Sequence, residues 1–351
     1  MKEPMGAREE RTGLRAYVSQ DYPRIEEPAS RPVVRAAWLY HHDGLTQSEI
    51  ARLMGVSRAT IVNHLQAARE SGLVHVSLDP DMVAGEALAA RLSATYGLQR
   101  AMVAPDDGGR AEPLVRAGRA GTDMLLDLLA GPGTGPGADP TEGAGSRIGV
   151  AWGRTVMALA QTLPQRRVAD LTVAQIVGSM SSEDGFSAEQ CTSEIASRLG
   201  ARMAAFHAPA RLSDAGLAAA LANEPIIRTQ FDLLETLSLA LFGICTVKTN
   251  SLVFGAGLVT AVDSHAYIER GAVGVIAGRF FDRQGKPVIG PIDDCLIGMT
   301  LDQIARVPVR LAVAAGPEKI DCLQGALAGG YVTHLATDEA TALALLDDGP
   351  S

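Results

Sequence analysis

Between Thr46 and Val76 the apolar positions of TQSEIARLMGVSRATIVNHLQAARESGLVHV change phase twice, and the changes mark two short helices followed by a strand. Ile50, Leu53 and Met54 recur at helical spacing, with Thr46 placed to cap the helix and Glu49 three residues on as its capping-box partner. Ala51 is small enough for a second helix to pack closely. Gly55 supplies a left-handed turn, and Ser57 caps a second helix whose apolar positions are Ile61 and Leu65. That spacing leaves Arg58, Ala59, Thr60, Asn63 and His64 on or beside the opposite face. Two crossed helices joined in this way form a helix-turn-helix, whose second helix lays its first residues in the DNA major groove. Arg58 suits a guanine and Asn63 an adenine, whereas the hydroxyls of Ser57 and Thr60 suit phosphate. Thr46 and Gln47, at the start of the first helix, complete the candidate DNA contacts. After Gly72 the alternation in LVHVSL predicts the strand of a small wing. An ordinary helical hairpin in a core would not require both caps, the small residue and the glycine together.

Upstream, Val34, Ala37, Trp38 and Tyr40 predict a helix over about Val33–His42, with Trp38 as a core anchor of a three-helix unit. Residues 1–30 are charged and punctuated by proline, which predicts a mobile arm before a DNA-binding domain over 31–79. Beyond Asp79-Pro80 the pattern becomes an alternation of helical stretches and short apolar runs, the signature of an α/β domain over 80–351. Met82–Tyr96 and Leu114–Leu129 read as helices. AMVAP, RIGVAWG, LTVAQIVGS, ARMAAFHAP, SLALFGI, AVGVIAG and VRLAVAAG read as strands of a mainly parallel sheet covered on both faces. GPGTGPGADPTEGAG is too poor in apolar groups to pack, and because strands and helices resume directly after it, it is placed inside the second domain.

The chain has 351 residues, 47% of them hydrophobic, which suffices for two domains with buried cores. No apolar run reaches the eighteen or so residues of a membrane helix, and MKEPMGAREERTGLRAY lacks an apolar signal region, so a cytoplasmic chain is expected. The net charge of −9 argues against DNA binding until the chain is divided. Residues 1–75 carry 10 Lys and Arg against 9 Asp and Glu, and the remainder carries 21 against 31. The modest basic field of Arg52, Arg58 and Arg69 fits specific docking rather than broad coating of nucleic acid. Cys191, Cys245, Cys295 and Cys322 lie far apart without ligand spacing, so free thiols are expected, with no metal and no cofactor. His41 and His42 read as helix-terminal or phosphate-facing.

In an open α/β sheet a ligand sits beyond the carboxyl ends of the strands, where glycine-marked turns expose helix N-termini. Gly153, Arg154 and Thr155 in GVAWGRT offer backbone N–H groups, a guanidinium and a hydroxyl to an anionic oxygen. Gly178 and Ser179 end another predicted strand. Arg279 and Asp282 in GRFFDRQG form a further cluster, for which a structural ion pair is the alternative. Arg211 in HAPAR is a candidate anion contact, with simple surface exposure as the alternative. Lys319 in AAGPEKIDCLQGAL stands near a positive helix terminus, where an anion would explain it. It is one of only four lysines, with Lys2, Lys248 and Lys286. No GxSxG elbow, HExxH pair or P-loop is present, and no acid/base constellation stands out.

In these motifs the chain resembles the SorC family of bacterial sugar-responsive transcription regulators. The likeness extends over about Val33–Leu346. It rests on LTQSEIARLMGVSRATI, GVAWGRT, HAPAR, GAVGVIAGRFFDRQG, AAGPEKIDCLQGAL and HLATDEATALALL in that order. The resemblance implies a winged helix-turn-helix domain followed by a doubly wound α/β effector domain similar to sugar-phosphate isomerases and deaminases, assembled as a tetramer built from dimers. It implies double-stranded operator DNA and a small sugar, sugar phosphate or polyol as partners. It also makes Gly153, Arg154, Thr155 and Lys319 ligand contacts and Ser57–His64 the recognition helix. Two departures stand out: Val275 where the family usually has an acidic residue, and Cys245 where a glycine is usual. The rival readings are a sugar-phosphate isomerase or deaminase carrying a DNA-binding appendage, and a helix-turn-helix used only for assembly.

Overall fold

The computed structural model describes residues 30–74, 80–130, 146–180, 187–247 and 258–349. The chain divides into two compact units, Met1–Ser77 and Leu78–Ser351. In the first, α1 (Ser30–His41), α2 (Gln47–Met54) and α3 (Arg58–Glu70) pack mutually. Their core is Ala36, Ile50, Ala51, Ile61 and Leu65, with Leu39, Tyr40, Leu45 and Met54 half-buried around it. The expected caps are in place. Thr46 and Glu49 form a reciprocal capping box on α2, Gly55 ends that helix at φ 68°, and the Ser57 hydroxyl accepts from the Thr60 N–H at 3.1 Å.

Three apolar residues of this unit are not where the pattern places them, Val34 among them at 38% exposed. Trp38 is 56% exposed and stacks on His42, with ring centroids 4.1 Å apart, and Leu53 is 57% exposed. On α1 the buried positions are instead Ala36 and Ala37, with Leu39 and Tyr40 half-buried against the core. Most of the anticipated wing strand, and residues 1–29, lie outside the described residues.

In the second unit α4 (Pro80–Tyr96) precedes β1 (Arg100–Ala104), α5 (Pro113–Ala130), β2 (Arg147–Val150) and α6 (Arg154–Thr162). β3 (Thr172–Gln175), α7 (Ala188–Arg198), β4 (Arg202–Ala204), α8 (Ala215–Ala222), α9 (Pro225–Leu234) and β5 (Leu239–Gly243) follow. The chain continues through β6 (Cys245–Thr246), α10 (Ala261–Glu269), β7 (Ala272–Ile276), β8 (Arg279–Asp282) and α11 (Leu301–Arg306). It closes with β9 (Val309–Val313), α12 (Ile320–Ala328), β10 (His334–Asp338) and α13 (Glu339–Asp348).

Seven strands form one parallel sheet in the order β1-β10-β9-β5-β2-β3-β4. Every residue of β3, β5 and β10 is buried, as parallel strands covered on both faces require. The glycine-rich stretch 131–145 is itself outside the described residues, but it joins α5 to β2 within this one unit.

Two strands depart from the sequence pattern. AVGVIAG does form β7, but in a separate antiparallel sheet, β6-β7-β8, rather than in the parallel one. HLATD, which the pattern does not mark as a strand, is β10, a fully buried strand inside the sheet, in which the His334 ring bonds the Thr333 hydroxyl and Asp338 accepts from the Thr341 hydroxyl.

The strand order places the site. From β2 the chain steps to β3 and β4 toward one edge, then returns to β5 on the other side of β2 and proceeds through β9 and β10. The direction reverses between β2 and β5. The crevice at the carboxyl ends of two such strands is where a doubly wound sheet opens to a ligand.

Candidate functional sites: a recognition helix and a cationic crevice

On α3, Arg58, Ala59 and Asn63 are exposed, and Thr60 and His64 are half-buried beside them, while Ile61, Leu65 and Ala68 face the core. Arg58 donates from Nε to Gln47 Oε1 at 3.3 Å, so a residue at the start of α2 orients the arginine of α3. The hydroxyls of Ser57 and Thr60 bond each other at 2.8 Å, and that of Thr46 bonds the Glu49 carboxylate at 2.7 Å. Those bonds from Thr46, through its hydroxyl and its N–H, hold the Glu49 carboxyl below the ordinary range. Thr46 and Ser57 therefore fix the helix starts, and Arg58 and Asn63 are left as exposed polar side chains on α3. His42 is turned to Trp38 and to Asp43, 2.7 Å from its Nδ1.

At the β2–β5 reversal, Gly153 begins α6 at φ 141°, ψ 162°, a conformation that favours glycine, and no side chain caps the helix. An added Cβ there would meet nothing within 4 Å, so the turn faces open space. Arg154 is exposed and Lys319 half-buried, and neither makes an ion pair among the described residues. Both act on one thiol. Burial pushes the half-buried Cys245 thiol up, and the charges of Lys319 and Arg154 pull it back. Cys245 follows β5, Arg154 follows β2 and Lys319 follows β9, so all three belong to segments leaving the carboxyl ends of neighbouring strands. Cys245 stands directly opposite Val275 in the β6–β7 register, so the two departures from the SorC pattern are cross-strand partners that line one place.

The remaining sequence candidates have other engagements. The Thr155 hydroxyl, 3% exposed, donates to the Val313 carbonyl at 2.7 Å and ties the β2–α6 turn to β9. Gly178 lies so close to Ala210 that a Cβ would stand 2.6 Å from its backbone, and the Ser179 hydroxyl donates to the Phe206 carbonyl. Arg211 is held by Asp263 at 2.7 Å and by the Leu258 carbonyl at 3.0 Å. Arg279 donates to the Asp293, Leu296 and Met299 carbonyls and to the Asp293 carboxylate. Asp282 accepts from the N–H groups of Gln284 and Lys286 and closes the turn after β8. These groups are thus engaged within the protein, whereas Arg154 and Lys319 make no ion pair among the described residues and Gly153 begins a helix without a side-chain cap.

Sequence reasoning passed over two groups here. Trp152, within GVAWGRT, is 6% exposed, and its indole N–H has no hydrogen-bond partner among the described residues. Glu189, in the first turn of α7, lines an open cleft with Ser179, Met180, His207, Ala208 and Pro209, and its buried Oε2 has no partner among the described residues. Neither signal is readable from residue type alone.

A DNA-reading helix-turn-helix joined to an α/β unit with a cationic crevice at its topological reversal defines a ligand-responsive transcription regulator. Comparison with known proteins agrees. The sequence matches the sugar-binding domain family over residues 82–347 and the MarR family over residues 36–81. It is 36% identical over 315 residues to the uncharacterized transcriptional regulator YjhU of Escherichia coli strain K12, covering 90% of this chain and 94% of that protein. It is 30% identical over 322 residues to the transcriptional regulator LsrR of Enterobacter sp. strain 638, covering 90% and 92%. The structure superposes on the full-length sorbitol operon regulator SorC of Klebsiella pneumoniae with a TM-score of 0.68 at 29% identity, covering 90% of this chain and 98% of that one. The chain belongs to the SorC family of sugar-binding transcriptional regulators. It is a regulator, not an isomerase or deaminase with a DNA-binding appendage.

Proposed function

We propose that this protein binds its operator through Arg58 and Asn63 on α3 and that a small sugar, sugar phosphate or polyol, held at the carboxyl ends of β2, β5 and β9, sets the operator affinity. The observation that carries the ligand half is the convergence of Arg154 and Lys319, two cations without ion-pair partners among the described residues, beside Cys245 and the uncapped start of α6. An anionic oxygen satisfies these groups at once: it neutralises both charges and accepts from N–H groups of the uncapped first turn of α6. The assignment of Gly153, Arg154 and Lys319 as effector contacts belongs to this reading.

The working assembly is a tetramer built from dimers in the cytoplasm. Among the described residues no helix is long and apolar enough to cross a membrane. Dimeric pairing matches a helix-turn-helix to two half-sites, and coupling among four effector domains multiplies a modest affinity difference. The test is binding of the purified protein to its own upstream DNA, titrated with hexose phosphates, free hexoses and hexitols. One compound is expected to shift operator affinity. Operator binding indifferent to every compound overturns the ligand assignment, and a mass other than four chains by light scattering overturns the assembly.

A further inference from the structure

Asp338 ends β10 with one carboxylate oxygen unsatisfied. The residue is 1% exposed, its Oδ1 accepts from the Thr341 hydroxyl, and its Oδ2 has no hydrogen-bond partner among the described residues. The cation facing it is Arg116 of α5, itself buried, whose Nη2 stands 3.9 Å from Oδ2. That distance holds an ion pair but not a hydrogen bond. Arg116 spends its close bonds elsewhere. Its Nη1 donates to Asp107 Oδ1 at 3.1 Å and to the Ala111 carbonyl at 2.9 Å, with Asp106 Oδ1 at 3.2 Å, and its buried Nε has no partner among the described residues.

One movement repairs both unmade bonds. A shift of about 1 Å brings Arg116 within hydrogen-bond range of Asp338, toward the bidentate geometry that arginine and carboxylate favour. The same shift lengthens the bonds to Asp107 and Ala111. Arg116 therefore faces two sets of acceptors that it cannot serve fully at once, as a two-position element does.

Each set leads to a different part of the unit. The Thr341 hydroxyl, in the first turn of α13, also accepts from the Gly316 N–H at 2.8 Å. Gly316 opens the turn that carries Lys319, so this turn, Thr341, Asp338 and Arg116 form one chain of hydrogen bonds ending in an ion pair. On the other side Asp107 accepts from the N–H groups of Arg110 and Ala111, and the Asp106 N–H donates to Glu339. These bonds fold the 105–112 segment over the end of β1. There α4 lies so close that a Cβ on Gly85 would stand 2.8 Å from the Val103 carbonyl oxygen and 4.0 Å from Pro105. The chain enters α4 on leaving the DNA-binding unit.

We propose that Arg116 and Asp338 are positioning residues that transmit occupancy of the Gly316–Lys319 turn to the 105–112 segment and α4. A displacement of the turn is carried by Thr341 to Asp338. Arg116 follows the carboxylate and releases Asp107, which loosens the segment on which α4 rests. This inference rests on the proposed effector site and adds the route by which its occupancy is felt. Contiguity alone does not establish coupling, so the test perturbs each end of the chain and reads the other.

Three variants of the full-length protein are compared by hydrogen exchange and mass spectrometry without ligand. Arg116→Lys keeps the charge but loses the fork that serves two acceptors, and Thr341→Val removes the hydroxyl between Gly316 and Asp338. Thr122→Val is the control, because it deletes a buried hydroxyl of α5 that bonds the Leu159 carbonyl and lies outside the chain. Arg116→Lys is expected to speed exchange at Gly316–Lys319 by about tenfold, and Thr341→Val to do the same at 105–112. Thr122→Val is expected to change neither, and the double variant to exceed neither single one. Exchange altered only around each substituted residue overturns the relay, and Thr341→Val alone decides it if Arg116→Lys does not fold.

A second arm titrates operator binding with hexose phosphates, hexoses and hexitols. The compound that shifts operator affinity of the native chain is expected to lose most of that shift in Arg116→Lys, while calorimetry still shows it bound. An undiminished shift overturns the relay. If no compound shifts operator affinity, the effector site falls, and the exchange result still decides whether the two segments are coupled.

Discussion

In the proposed mode of operator binding, Arg58 is the residue on which sequence specificity turns. Its Nε bond to Gln47 is long, at 3.3 Å between two exposed side chains, so it is readily exchanged for the O6 and N7 of a guanine while still pointing the guanidinium outward. Arg58→Ala and Asn63→Ala are each expected to cost about 1–3 kcal/mol of operator affinity, with discrimination relaxed at one base pair apiece. Gel-shift titration against base-substituted operators reads both effects, and an unchanged mass in light scattering separates them from loss of assembly. At the effector end the informative side chain is Cys245. It is half-buried between Arg154 and Lys319, whereas Cys322 is enclosed and its thiol is pushed up to about 12 by burial. Alkylation by N-ethylmaleimide is therefore expected at Cys245 and not at Cys322 in the native protein, with Cys245 protected once an effector occupies the crevice. Mass spectrometry of the labelled peptides decides it. At this scale the sequence was legible where a residue acts locally, as Thr46, Ser57 and Gly55 do. It was not legible for arginine: Arg211 and Arg279 spend their donors on carbonyls and carboxylates from distant segments, whereas Arg154 has none to spend them on, and residue type cannot tell these apart.

The helix-turn-helix is a marginal element held by few contacts. Its core comprises five residues, and Ile61 is completely buried among them. Ile61→Ala is expected to lower stability by about 2–5 kcal/mol, through lost burial and a cavity that so small a core cannot close. Gly55→Ala meets no neighbouring atom within 4 Å, so only the positive φ of 68° opposes it, at about 1–2 kcal/mol. Urea unfolding followed by a probe confined to the first unit should rank the two in that order, and the reverse ranking would mean that the turn, not the core, limits the unit. Helical period located all three helices, yet it overcounted the buried face, as Trp38 and Leu53 show. Three short helices enclose too little volume for every apolar position to point inward. In the second unit the short apolar runs became strands as expected, but period alone could not say that AVGVIAG leaves the parallel sheet. Its partner is β6, a two-residue continuation of the chain beyond β5, and pairing of that kind is invisible until the sheet is built.

For the whole molecule the question is how a small ligand governs DNA binding by a separate unit. A ligand shifts an equilibrium only by its differential affinity for the two arrangements, and a tenfold preference supplies about 1.4 kcal/mol per site. That is modest against the specific affinity of an operator complex, and coupling among the sites of the proposed tetramer would multiply it. The acidic excess supports a division of labour. The first 75 residues are nearly neutral, with 10 basic against 9 acidic groups, while the rest carries 21 against 31 and repels DNA. Specific contacts, rather than bulk charge, must then hold the complex, and it is sensitive to small changes in their placement. Because linkage is reciprocal, operator DNA must change effector affinity by the same factor as the effector changes operator affinity. Calorimetric titration of the effector into free protein and into protein saturated with operator is expected to give dissociation constants whose ratio equals the shift measured by DNA binding at the same salt. A ratio of one alongside a real shift in operator binding would mean that the compound acts by changing the oligomer, which a concentration series would expose.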